Sequence, residues 1–143
     1  MVYIGTSGFS YEDWKGFFYP EDIDKKDMLA YYSRQCGTVE INSTYYTIPS
    51  ANTFLSLAKK TPDDFKFSVK AHKDMTHAET HAPEVFRRFQ EVLAPMVEAG
   101  KLGCILAQFP WSFKRTVQNE ERLQDFRDSV GTLPTVVEFR NAE

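Results

Sequence analysis

The chain has only two cysteines, Cys36 and Cys104, far apart and without the close pairing of a metal knuckle. That excludes a disulfide framework and a cysteine-based zinc site, and leaves two reduced thiols of the kind found in cytosolic proteins. No apolar run is long enough to span a bilayer. No basic stretch followed by an apolar one opens the sequence, so no secretory leader is expected and the expected compartment is the cytoplasm. Positive charge is not in excess: 17 Lys and Arg stand against 20 Asp and Glu, for a net charge of −3. The basic residues fall in isolated pairs such as Lys25-Lys26 and Arg87-Arg88, so a long nucleic-acid footprint has no electrostatic basis. Linkers and low-complexity segments are also missing, and a single α/β domain over 1–143 is expected. Aromatic residues are plentiful, with 12 Phe and 7 Tyr, so the core and any pocket wall should be aromatic.

Apolar periodicity alternates between two forms along the chain. Strands are expected at 2–5, 38–41, 65–70, 102–107 and 134–139. Helices are expected at 27–35, 51–60, 84–99 and from Asn119, as a cap, to about 130. Gly100 is a natural helix stop, and Pro95 should kink or divide the helix that holds it. A strand–helix alternation repeated in this way predicts a parallel sheet built from βαβ units.

Two architectures fit: a five-stranded doubly wound sheet and a portion of a TIM-like barrel. Central strands of a doubly wound sheet are covered on both faces and read as continuous apolar runs. These strands alternate instead. Glu40 and Asn42, Lys66, Ser68 and Lys70, and Glu138 and Arg140 fall on one parity, with Val39, Ile41, Val69, Val137 and Phe139 on the other, facing the helices. A polar parity at strand ends suits the C-terminal mouth of a barrel.

The blocks Gly5-Thr6-Ser7-Gly8-Phe9-Ser10-Tyr11, Trp14-Lys15-Gly16 and Val39-Glu40-Ile41-Asn42-Ser43-Thr44-Tyr45-Tyr46 occur in order. Phe65-Lys66-Phe67-Ser68-Val69-Lys70, Thr76-His77, Gln108-Phe109-Pro110 and Val137-Glu138-Phe139-Arg140 follow them. Together they resemble the domain-of-unknown-function 72 (YecE-like) family across nearly the whole chain. The resemblance implies a TIM-barrel-like parallel β/α repeat of about eight strands, of which this sequence holds about five, as the N-terminal part of the barrel. As the family's name says, it implies no established activity. A partial barrel exposes two strand edges, so self-association of this chain is expected.

The candidate chemistry gathers on the polar parity. Glu40 and Glu138, on separate strands, are an acid–base or nucleophile–acid pair by type. Lys70 and His77 join them as candidate catalytic groups, with Arg140 as the expected ion-pair partner of Glu138. Ser7, Tyr11, Trp14, Asn42, Tyr45, Gln108 and Arg140 are candidate substrate-binding residues. A structural ion network is the alternative account of the same charges, though four ionisable groups on one interior are costly if they only stabilise. The turn Gly5-Thr6-Ser7-Gly8 is either an anion cradle or a tight turn that needs glycine. Tyr11, Trp14, Phe17, Phe18 and Tyr19 form either a stacking wall or a satellite core. His72, His77 and His81 fall within ten residues, but no carboxylate motif accompanies them and Pro83 follows, so neither a metal nor a cofactor is expected. Two functions stay open. One is a hydrolase or isomerase acting on a small anionic or sugar-like molecule. The other is a non-catalytic binding module for nucleic acid or another ligand, against which the acidic balance weighs.

Overall fold

The structure, a computed structural model, describes residues 2–78 and 82–141. The ordered elements are β1 (Gly5–Ser7), α1 (Met28–Gln35), β2 (Thr38–Ile41), α2 (Ala51–Lys59), β3 (Lys66–Lys70), α3 (Lys73–Thr76), α4 (Pro83–Glu98), β4 (Leu102–Phe109), α5 (Val117–Val130) and β5 (Thr135–Phe139). Single 3₁₀ turns lie at Glu12–Trp14 and Ser43–Tyr45. The five strands form one parallel sheet in the order β1-β2-β3-β4-β5. A flavodoxin-like sheet reverses direction at its first strand and runs 2-1-3-4-5; this sheet never reverses. With right-handed crossovers, a sheet that always advances the same way carries its helices on one face.

The strand sequences match that asymmetry. Val39, Phe67, Val69, Ile105 and Ala107 are fully buried, against Met28 and Tyr32 of α1, Phe54 of α2, Phe89, Leu93 and Met96 of α4, and Phe126 of α5, in one continuous core. Full burial of each such aliphatic or aromatic side chain contributes about 1.5–3 kcal/mol. On the opposite face Glu40, Ser68, Lys70, Cys104 and Gln108 are only half-buried.

Several expectations need correction. The first strand begins at Gly5, not at residue 2, and Val2 and Ile4 lie 87% and 76% exposed. β1 has a neighbour on one side only, and strand propensity without a partner does not make a strand. Gly5 is required there, because a Cβ would stand 1.9 Å from the Thr38 carbonyl oxygen. Val137 and Phe139 do take the helix-facing parity, yet they remain 42% and 49% exposed. β5 too is an edge strand, and α5 covers only part of it. The cleft between them is lined by Leu123, Phe126, Leu133, Val137 and Phe139.

α4 is not divided at Pro95. The proline lies in the last turn, where it removes one backbone hydrogen bond and leaves the preceding turns intact. The cap of α5 is Thr116, not Asn119: the Thr116 side chain accepts from the Asn119 N–H at 3.2 Å, the geometry of an N-cap bonded to N3.

Candidate functional site

The C-terminal ends of the strands carry the polar parity into one cleft. Ser7 ends β1 and pairs in register with Glu40 of β2, which pairs with Ser68 of β3. Lys70 ends β3, and Gln108 of β4 pairs with Glu138 of β5. The cleft holds about 430 Å³ and is lined by Ser7, Glu40, Asn42, Tyr45, Tyr46, Lys70, His77, Gln108 and Arg140. That volume lies in the range of about 300–1,000 Å³ usual for small-molecule sites.

One wall is acidic and amidic. The Ser7 hydroxyl donates to Glu40 Oε1 at 3.0 Å, and Asn42 Nδ2 donates to Ser7 Oγ. The other wall is basic. Lys70 Nζ donates to Gln108 Oε1 at 2.9 Å, and Gln108 Nε2 donates to Glu138 Oε1 at 2.6 Å. Only this orientation of the Gln108 amide satisfies both neighbours, since an ammonium has no acceptor and a carboxylate no donor. Lys70 Nζ also lies 5.2 Å from the Tyr45 ring centroid, and the His77 ring meets that same ring edge-on at 5.2 Å. His77 Nδ1 is 2.8 Å from Thr76 Oγ1. Burial, and then the charges of Lys70, Arg140 and Arg122, lower the His77 pKa from its ordinary value. The imidazole is therefore held toward its neutral form by burial first and by a cationic field second.

The expected Glu138–Arg140 pair does not form. Glu138 is exposed and accepts from Gln108, its cross-strand register partner, while Arg140 has no hydrogen bond or ion pair among the described residues. Residues two apart on a strand stand roughly 7 Å apart, whereas directly paired neighbours on adjacent strands are about 5 Å apart, so the cross-strand neighbour takes the carboxylate.

Two residues that sequence reasoning passed over help to build the site. Thr44 is fully buried, and its hydroxyl donates to the Lys70 carbonyl at 2.6 Å. It ties the Ser43–Tyr45 turn to the end of β3 and so sets Tyr45 beside Lys70. Tyr46, 74% exposed, lines the cleft next to Tyr45. The sequence signal for both was their place in the polar turn that follows β2.

Other candidates lie elsewhere. Trp14 packs with Tyr11, Phe18 and Tyr19 and borders a separate cleft with Phe17 and Cys36. Tyr11 packs at a tilt against Trp14 and donates its hydroxyl to the Ser7 carbonyl, so it braces the end of β1 rather than lining the polar cleft. Two amides at the end of β1 and in the turn after it are already engaged: Thr6 N–H donates to the Tyr32 hydroxyl at 2.7 Å, and Gly8 N–H donates to the Glu40 carbonyl at 2.9 Å. Gly8 itself has φ +84°, in the left-handed region. His72 is buried and caps the one-turn helix α3, accepting from Asp74 N–H at 3.3 Å, while His77 sits at that helix's other end. His81 lies outside the described residues. Among the described residues, no group of three or more His, Cys, Asp or Glu is placed to hold a metal ion. None of their helices is long and apolar enough to cross a membrane.

The sequence matches the family described as "Protein of unknown function DUF72" over residues 3–143. The UPF0759 protein YunF of Bacillus subtilis is 33% identical over 99% of this chain and 51% of its own length. The UPF0759 protein YecE of Escherichia coli K12 is 28% identical over 79% of this chain and 39% of its own. The chain thus spans about half the length of the YunF protein it matches. Among solved structures, a DUF72 family protein from Thermotoga maritima superposes with a TM-score of 0.86 at 42% identity, covering 98% of this chain and 56% of that one. One from Enterococcus faecalis gives a TM-score of 0.85 at 28% identity, covering 99% and 51%.

Proposed function

The chain belongs to the DUF72 family, and from that starting point we propose that its polar cleft is the active site of a hydrolase or isomerase acting on a small anionic substrate. One observation carries the reading: Arg140, a guanidinium without a partner among the described residues, lines the same cleft as Lys70, His77 and Glu40. An arginine fork whose five donors are open among the described residues suits a phosphate or carboxylate. In this reading Arg140 and Lys70 hold the anion. Glu40, the carboxylate that lines the cleft, is the general base, and neutral His77 gives or takes a second proton. Glu138 acts through Gln108, fixing the amide that orients Lys70.

The architecture that goes with this site is the first part of a TIM-barrel-like ring, with 1–143 as one domain and the polar parity turned inward. Its support is the sequential parallel order, the helices on one face, and the gathering of polar residues at the C-terminal ends of the strands, where barrel enzymes place their sites. The two edge strands and the exposed Val2, Ile4, Val137 and Phe139 support self-association of the isolated chain. A non-associating monomer by light scattering would count against that.

The site is tested by titrating the protein with inorganic phosphate and following the His77 ring and the Arg140 side chain by nuclear magnetic resonance. Saturable shifts at both are expected, weakened in Arg140→Met. No shift at either group overturns the anion-binding reading.

A further inference from the structure

We infer that the ligand of this cleft is a phosphorylated polyol, its phosphate held by Lys70, His77 and Arg140 and its hydroxyls by Ser7, Glu40 and Asn42. The inference rests on the anion-binding reading above and adds the substrate class.

The cleft is divided by charge. On the basic wall two cations and a neutral imidazole line the cleft, while Glu138 is bonded behind Gln108 and lies outside the lining. Lys70 uses one of its three N–H donors on Gln108, and Arg140 uses none of its five among the described residues. A carboxylate has one charge and would leave the second cation unmatched. A phosphate monoester carries about −1.5 to −2 charges at pH 7 and three acceptor oxygens, which match two cations and an imidazole N–H.

The opposite wall cannot take a second anion, because Glu40 stands there. What it offers is acceptors. Glu40 Oε1 is engaged by Ser7, while Glu40 Oε2 and the Asn42 side-chain carbonyl have no partner among the described residues. Acceptors beside a hydroxyl suit vicinal ligand hydroxyls, each of which donates one hydrogen bond and accepts others. Tyr46 lies at the rim with its ring largely exposed and can cover the C–H face of such a ligand. The Tyr45 ring is already occupied by Lys70 and His77. The lining is mainly polar, without the pair of facing apolar walls that an aromatic base requires.

The test is calorimetric titration of the protein with inorganic phosphate, ribose 5-phosphate and free ribose. Ribose 5-phosphate should bind at least about tenfold tighter than inorganic phosphate, the equivalent of one or two added hydrogen bonds. Free ribose should give no measurable heat. Glu40→Gln should erase the tenfold advantage, and Arg140→Met should weaken both phosphorylated ligands. Thermal melts of each variant separate lost binding from lost folding. Equal affinities for phosphate and ribose 5-phosphate overturn the polyol inference while the anion site stands. If neither phosphorylated compound binds, the anion site falls as well.

Discussion

The two ends of the sheet treat their cations in opposite ways. At the N-terminal end Lys101 is 5% exposed, and its ammonium donates to the carbonyls of Ala58 and Thr61, each at 2.7 Å, and to Thr61 Oγ1 at 3.2 Å. Ala58 lies in the last turn of α2, where carbonyls lack helical partners and the macrodipole favours positive charge. Lys66, also at this end, donates to the Gly100 carbonyl just past α4. At the C-terminal end Lys70 makes a single hydrogen bond, to a side chain, and Arg140 makes none among the described residues. A cation whose donors are all used locks the helices to the sheet. A cation with donors in reserve, facing an open cleft, contributes less to the frame and is available to a ligand.

The sharpest way to break this comparison is to remove one cation from each end. Lys101→Met leaves buried carbonyls of Ala58 and Thr61 without their donor, and should lower stability by about 3 kcal/mol. Arg140→Met removes an exposed side chain with no partner among the described residues and should change stability by less than about 0.5 kcal/mol. Urea denaturation of the two variants beside the parent measures both. Equal losses would mean that Arg140 is structural and that the two ends do not differ in kind.

A second, smaller effect concerns what is rigid within the C-terminal end itself. Thr44→Val deletes the buried hydroxyl that holds the Ser43–Tyr45 turn to the Lys70 carbonyl, and should cost about 1–2 kcal/mol. Glu138→Gln alters an exposed carboxylate that touches only an amide, and should cost under about 1 kcal/mol. The expectation is thus a stiff frame under a cleft whose charged groups contribute little to stability. A larger loss from Glu138→Gln than from Thr44→Val, in the same denaturation experiment, would reverse that assignment.

How far these features were legible in the sequence follows from the range of the interactions behind them. Strands β2 to β5 and the four longer helices announce themselves by local period, because burial on one face repeats every second residue or every three to four. Lys66, Ser68 and Lys70 against Phe67 and Val69 is such a signal, and it also told which face stays polar. β1 was misplaced because the apolar run Val2-Tyr3-Ile4 carries strand propensity, while pairing with β2 begins only at Gly5. α3, at four residues, is too short to show a period. At the site, the register that sets Gln108 opposite Glu138 depends on how two strands separated by α5 align, and no local pattern encodes it. For the same reason the intra-strand Glu138–Arg140 pair looked natural in the sequence and is absent in space. Trp14 lies close in sequence to the turn after β1, yet its ring goes to the aromatic cluster with Phe18 and Tyr19.

The smallest expected effect is electrostatic and probes the cleft directly. His77 is held below its ordinary value of 6.5 by burial first, and then by Lys70, Arg140 and Arg122. With the folded value depressed, the associated stability is present above pH 6.5 and is lost as pH falls through the folded value, since below 6.5 the unfolded chain takes up this proton more readily than the folded one. Stability should therefore decline modestly on acidification through this window, and less so in His77→Gln. The imidazole resonances should titrate with a midpoint below 6.5, and the midpoint should move upward in Arg140→Met, which removes one of the cations that oppose protonation. Saturation with inorganic phosphate should move it upward as well, because a dianion beside the ring reverses the sign of the local field. A parent midpoint at or above 6.5 would mean that the C-terminal end is not positively polarised. The contrast with the fully hydrogen-bonded ammonium of Lys101 would then lose its electrostatic basis.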